Sequence, residues 1–182
     1  MAFRTSHNMR AYYSADLSDF LQQSTNEILG IIHTNDASAE TTIQQSNTWE
    51  AEVKILKDQL RNLNCGRIIF EYTIPRMGKR VDVVVLYRNM VFLLEFKCGN
   101  FEYKASTYDQ VYDYALDLRN FQKESHDKLI VPIMVSTNAP RFQNVLTERE
   151  RIIEPIRCNA QNLGVSIKYI TQQYNEPDFN YA

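Results

Sequence analysis

Asp82 and the triplet Glu95-Phe96-Lys97 have the residue types and spacing that most directly suggest chemistry in this chain. Arg88-Asn89 reads as a two-residue hairpin turn, because Asn tolerates the positive φ that such turns require. Cross-strand partners are then the pairs whose numbers sum to 177, which sets Asp82 opposite Glu95. Side chains alternate along a strand, so Asp82, Val84, Leu86, Val91, Leu93, Glu95 and Lys97 are expected on one face, and Val81, Val83, Val85, Phe92, Leu94 and Phe96 on the other. Directly opposed carboxylates repel, and a divalent cation resolves the repulsion: Asp82 and Glu95 offer the hard oxygen ligands that Mg²⁺ takes, with waters and phosphate oxygens completing an octahedron. Lys97, on the same face, can hold a water or hydroxide and offset the charge that develops on a phosphate under in-line attack. The chemistry expected is phosphodiester hydrolysis with Mg²⁺ as cofactor and Mn²⁺ able to replace it.

An acid-x-Lys triplet alone is commonly incidental at a strand end. What sets this one apart is the acid at the matching cross-strand position, the strands otherwise built of Val, Leu and Phe, and the order of the elements around them. Asn47 followed by Glu50 has the pattern of a capping box, and Trp49, Val53, Leu56, Leu60 and Leu63 then form one apolar stripe, predicting a helix over 48–63. Asn64-Cys65-Gly66 ends it. Strands are expected over 67–74, 80–87 and 90–97, as an antiparallel meander. A helix over 106–123, with Val111, Tyr114, Ala115, Leu118 and Phe121 inward, precedes the continuously apolar strand 129–135. A helix over 147–163 and a strand over 165–170 are expected to follow, then a polar tail. Before all this, Asp16 can cap one accessory helix carrying Leu17, Phe20, Leu21, Ile28, Ile31 and Ile32, and 34–46 suits a surface connection.

Composition narrows the function classes. With 182 residues, 44% hydrophobic and only five glycines and five prolines, the chain has the makeup of one globular domain rather than a linker or a fibre. Neither a bilayer-length apolar run nor a secretory signal is visible, so a cytoplasmic protein without a membrane partner is expected. Cys65, Cys98 and Cys158 are too few and too widely spaced for a disulfide scaffold, and His7, His33 and His126 have no ligand-spaced partners, so any metal must be held by oxygen. A net charge of −2 lacks the footprint of a protein that coats nucleic acid, so such a role needs a local basic patch. Arg76, Lys79 and Arg80, at the turn into the Asp82 strand, could supply phosphate contacts or be solvated turn charges. Ser125-His126-Asp127 cannot form a triad among adjacent residues.

Val81-Asp82 and Glu95-Phe96-Lys97, within the α-β-β-β-α-β order of 48–137, resemble the signature of the PD-(D/E)XK nuclease superfamily, with Val81 in place of the signature's proline. The resemblance implies an α/β, restriction-endonuclease-like αβββαβ core, a mixed sheet flanked by helices. It also implies that the carbonyl of Phe96 joins Asp82 and Glu95 at the metal. Gln110-Val111-Tyr112-Asp113-Tyr114 resembles the QxxxY motif of RecB-like and lambda-exonuclease-like members, in which the pair helps position the site and the nucleic-acid strand; the i, i+4 spacing places Gln110 and Tyr114 on one helical face. The other reading is a Thr107/Gln110 capping box with Tyr114 in the core. Such nucleases often recruit a glutamate from the first core helix. At 100° per residue, Glu52 falls about 60° from the centre of the buried stripe and Glu50 about 100° away, which favours Glu52 as a further metal ligand.

A narrower resemblance covers more of the chain. The run Phe70 to Gly99, then 109–127 and 130–137, resembles the N-terminal domain of bacterial proteins whose C-terminal part is a schlafen-related, helicase-like ATPase. No phosphate-binding GxxxxGK[ST] loop occurs here, so that ATPase would be a separate domain or partner. The organisation expected is an accessory region over 1–47, a nuclease-like domain over 48–171 and a tail or linker over 172–182. The function expected is a metal-dependent nuclease with DNA as substrate. The alternative is a catalytically silent nucleic-acid-binding or interaction module of the same fold.

Overall fold

The computed structural model describes residues 10–36, 38, 41–122 and 125–176. The chain runs β1 (Tyr13–Asp16), α1 (Leu17–Gln22), α2 (Thr25–Asn35), α3 (Ile43–Gln59), β2 (Arg67–Thr73), β3 (Arg80–Tyr87), β4 (Met90–Lys97), α4 (Ala105–Phe121), β5 (Leu129–Ser136), β6 (Glu148–Arg149), β7 (Ile152–Ile153), β8 (Ile156–Cys158) and α5 (Leu163–Tyr174). The strands form one mixed sheet in the order β1-β2-β3-β4-β5-β7-β6, with β8 also pairing β5. Strands β1 to β4 are antiparallel, whereas β5 runs parallel to β4, β7 and β8. The fold is therefore α/β, an open mixed sheet flanked by helices.

Two apolar layers hold it together. On one face Leu17, Phe20, Ile28, Trp49, Val53, Leu56, Ile167 and Ile170 from α1, α2, α3 and α5 pack over Phe70, Val83, Val85, Phe92 and Leu94. On the other, Val111, Tyr114, Ala115 and Leu118 of α4 pack over Val84, Val91, Leu93, Ile130 and Met134. Every residue of β5 is buried, as an unbroken apolar run covered on both faces must be. The hairpin between β3 and β4 has the expected turn and register: Arg88 and Asn89 have φ of 47° and 58°, and the ladder runs from Tyr87↔Met90 to Val83↔Leu94.

Several expectations need correction. The single accessory helix is two helices after a strand. Asp16 does stand at the N-cap of α1, but its carboxylate pairs with Arg67 at 3.1 Å instead of making a capping hydrogen bond, and Ser24 caps α2 in a true capping box with Glu27. Helix α3 begins at Ile43, not 48, with Thr42 accepting from the Gln45 amide at 3.1 Å; Asn47 lies inside it and Glu50 pairs with Lys54. The extra turn is supported by α2, whose His33 packs edge-on against Trp49 at 5.3 Å and bonds Ser46 at 3.1 Å. The order expected after β5 is reversed: 147–163 holds the short strands β6 to β8, and 163–174 is helical. Pro155, which has no amide proton, cannot sit inside a helix, while Leu163, Ile167, Ile170 and Thr171 recur at helical spacing and are all buried. The helix expected to reach Lys123 ends at Phe121; Lys123 itself, residues 1–9 of the accessory region and 177–182 of the tail lie outside the described residues.

Candidate active site

The β3–β4 ladder stops at Val83↔Leu94. One step on, where Asp82 and Glu95 should face each other, Oδ2 of Asp82 accepts the backbone N–H of Phe96 at 2.8 Å. The alternation of faces breaks here too: Val81, expected beside Val83, packs with Val84 and Ile74 under α4. On the other side of β3, Glu71 and Asp82 fall between the partner pairs Phe70↔Val83 and Tyr72↔Val81, and Glu71 has φ of 54°. A non-glycine residue in the left-handed region within a strand costs on the order of 1–3 kcal/mol. The neighbouring groups hold it there, since Glu71 Oε1 accepts from Nε1 of Trp49 at 2.8 Å and Oε2 faces Arg80 at 3.4 Å.

The distortion opens a cavity of about 310 Å³ lined by Trp49, Glu52, Glu71, Asp82, Glu95 and Lys97, among others. Helix α3 delivers Glu52 into it from the stripe that buries Trp49 and Val53, and Glu52 and Glu95 are 2% and 3% exposed. Nζ of Lys97 donates to Oε1 of Glu95 at 2.7 Å. Burial, with the charges of Asp82, Glu71 and Glu95, pushes the pKa of Glu52 well above the ordinary carboxyl range. Burial and the charge of Glu95 do the same to Asp82, against the opposing Phe96 hydrogen bond, and burial raises Glu95 despite Lys97. Burial disfavours the charge on Lys97, but the hydrogen bond to Glu95 and the charges of Glu95 and Asp82 outweigh it and hold the ammonium above its usual range.

Whether these groups suit a cation can be tested on their unsatisfied oxygens. Oε2 of Glu52 and Oε2 of Glu95 are buried without a hydrogen-bond partner, an arrangement that costs free energy unless something positive meets them. Among the described residues no three His, Cys, Asp or Glu side chains stand as a ready-made metal cluster. Asp82 and Glu95, which lie close enough to interact, would be the residues to hold a cation, with water completing its shell. The residues fit Mg²⁺ or Mn²⁺ on donor chemistry.

The remaining expected site residues divide. Gln110 and Tyr114 do come together, Nε2 donating to the Tyr114 hydroxyl at 2.7 Å, and burial with the charges of Glu95 and Asp82 raises the phenol's pKa. Of the other reading, the capping box fails, since α4 starts at Ala105 after Lys104 and Thr107 is buried within its first turn, while Tyr114 does lie in the core. The basic patch is largely engaged elsewhere. Lys79 pairs with Asp117 at 2.8 Å, and Arg80 stacks on the Tyr12 ring at 4.7 Å, bonds its hydroxyl and faces Glu71, which leaves Arg76 exposed at the turn. Sequence reasoning missed Glu71. The signal was present as a lone acid inside the apolar strand Ile68-Ile69-Phe70-Glu71-Tyr72.

No protein-family model matches this chain, and no curated protein matches it. Among solved structures, protein VC1899 from Vibrio cholerae aligns at 14% identity with a TM-score of 0.35, over 89% of this chain and 46% of that one, so the chain spans about half the length of that protein. Among the described residues no helix is long and apolar enough to cross a membrane.

Proposed function

We propose that this chain is a metal-dependent nuclease domain hydrolysing phosphodiester bonds, with DNA as the first substrate to test. The observation that carries the reading is the meeting of Asp82, Glu95 and Lys97 at the end of the β3–β4 ladder, with buried, unpartnered oxygens on Glu52 and Glu95. Four carboxylates around one cavity are a poor surface for a polyanion on their own, and they gain a purpose when a cation joins them. When bound, Mg²⁺ or Mn²⁺ supplies Lewis-acid neutralisation of the scissile phosphate and a more acidic water.

The chain's own groups do the rest. Asp82 is aimed by the Phe96 amide, so its carboxylate is in place before substrate arrives. Lys97 stays charged and is half-exposed at the cavity, able to turn from Glu95 toward a water or a phosphate oxygen and stabilise negative charge developing there. Gln110 and Tyr114 form a linked pair on α4 that can brace the substrate strand beside the acids. The test is incubation with Mg²⁺ or Mn²⁺ and end-labelled single- and double-stranded DNA and RNA. Cleavage lost in Asp82→Asn and Glu95→Gln supports the reading. Binding without cleavage under every condition would leave a silent nucleic-acid-binding module.

A further inference from the structure

Parallel neighbours in a sheet point register partners to the same face. Glu95 of β4 is the partner of Met134 of β5, and Met134 is the partner of Arg157 of β8. Met134 is buried under α4, so Met134 and Arg157 share the α4 side of the sheet, level in register with Glu95 at the cavity. The Arg157 backbone therefore stands two strand spacings, about 10 Å, from that of Glu95.

Its guanidinium is held between two rings. Tyr108 of α4 lies 4.9 Å from it and Phe142 lies 4.5 Å from it. Phe142 is braced edge-on by Tyr103 at 5.9 Å, whose hydroxyl donates to the Pro140 carbonyl at 2.9 Å. Asn144 grips the Arg157 backbone at both ends, accepting from its N–H and donating to its carbonyl, each at 2.8 Å. With rings on its faces, the guanidinium keeps its N–H edges for another partner. Among the described residues no carboxylate pairs with it, although Lys97, Lys79 and Arg80 are each paired.

We propose that Arg157 holds a backbone phosphate of the nucleic-acid strand whose scissile bond lies at Asp82 and Glu95, a positioning role that rests on the nuclease reading above. A planar, ring-fixed guanidinium is suited to a phosphate because both present matching paired contacts and little side-chain freedom is lost on binding. It also replaces the engaged Lys79 and Arg80 as the phosphate contact that a chain of net charge −2 needs.

The test is the affinity of the full chain for a fluorescent single-stranded DNA oligonucleotide in EDTA, measured across salt, with KM and kcat for cleavage measured in Mg²⁺. Arg157→Ala should weaken binding about tenfold and flatten the slope of log K against log salt by about 0.7, one phosphate contact on a single strand. It should raise KM while leaving kcat within about twofold. Arg157→Lys, which keeps the charge, should restore the salt slope but not the full affinity, and its thermal melt should match that of the wild type. Wild-type affinity and slope in Arg157→Ala, or no binding by the wild type, would overturn the proposal. Arg157-dependent binding by a protein that cleaves nothing would uphold the contact and remove the nuclease reading; cleavage by Arg157→Ala with unchanged KM would do the reverse.

Discussion

The backbone amide of Phe96, two residues past the last β4 register partner, donates to the carboxylate of Asp82, one residue past the last β3 partner, at 2.8 Å. A side chain stands where the next ladder bond would be, so Asp82 both closes the strand end and faces the cavity. Asp82→Asn keeps an acceptor for that amide and removes the charge. Calorimetry should show Mg²⁺ or Mn²⁺ binding to the wild type and none to Asp82→Asn or Glu95→Gln. Asp82→Ala should also lose stability by about 1–3 kcal/mol, because a buried N–H is left without its partner. Metal binding that survives both conservative changes would end the site assignment.

The raised carboxylates set a sign for the pH dependence of stability. Glu52 and Asp82 hold protons more tightly in the folded chain than at their ordinary values of 4.5 and 3.8. The native state thus binds more protons than the unfolded one above that range, and stability falls as pH rises through the raised values. In EDTA, the melting temperature of Glu52→Gln should overtake that of the wild type as pH climbs from 4 toward 8, by about 2–4 °C for each kcal/mol of repulsion and desolvation removed. Parallel curves would show that Glu52 carries no such burden. Mg²⁺ at neutral pH should raise the wild-type melting temperature and leave Glu52→Gln less affected.

The meander and its hairpin turn were legible because their signals are local. Alternation over Val83 to Leu86, Asn89 at a turn, and one stripe from Trp49 to Leu60 need no knowledge of the rest of the chain. The carboxy-terminal region was not, since Val165 to Ile170 alternates with a period of two while Leu163, Ile167 and Ile170 also keep the helical spacing. Packing decides between them: Val165 and Tyr169 are 63% and 52% exposed, as the outer side of a helix requires. Strand β1 exists only through its pairing with β2, and the position of Glu71 depends on a left-handed backbone that Trp49 and Arg80 hold in place. Neither is encoded within a short window. The break of alternation at Asp82 is of the same kind, a local rule overridden where the cavity forms.

The joint between α3 and α5 gives a test independent of the chemistry. The Gly164 amide donates to Oε1 of Gln59 at 3.0 Å, and a Cβ on Gly164 would lie 2.1 Å from the Gln59 carbonyl oxygen. Backbone cannot yield as a flexible side chain would. Gly164→Ala should therefore cost about 1–3 kcal/mol as the two helices are forced apart, read as a lower urea midpoint. An unchanged midpoint would mean that α5 does not pack there.

Lys97 separates catalysis from metal binding. Lys97→Met keeps most of the stem and removes the ammonium that bonds Glu95 at 2.7 Å. The kcat for cleavage should fall about a hundredfold or more, as when a donor to developing oxyanion charge is lost. Mg²⁺ affinity at pH 8 should change little, since the cation is held by the carboxylates. A variant that cleaves at the wild-type rate would remove Lys97 from the mechanism.

Gln110 and Tyr114 should behave differently from Lys97, because their 2.7 Å hydrogen bond joins two groups on α4 rather than a group to the reacting phosphate. Gln110→Ala and Tyr114→Phe each break that bond, whose net worth corresponds to about a two- to tenfold change in an equilibrium. The loss should appear in KM and be recovered at high substrate concentration. The double variant should then be little worse than either single one, since both remove the same interaction. Additive losses would show that each residue meets the substrate on its own, and a fall in kcat without change in KM would move the pair from positioning the strand to the chemistry itself.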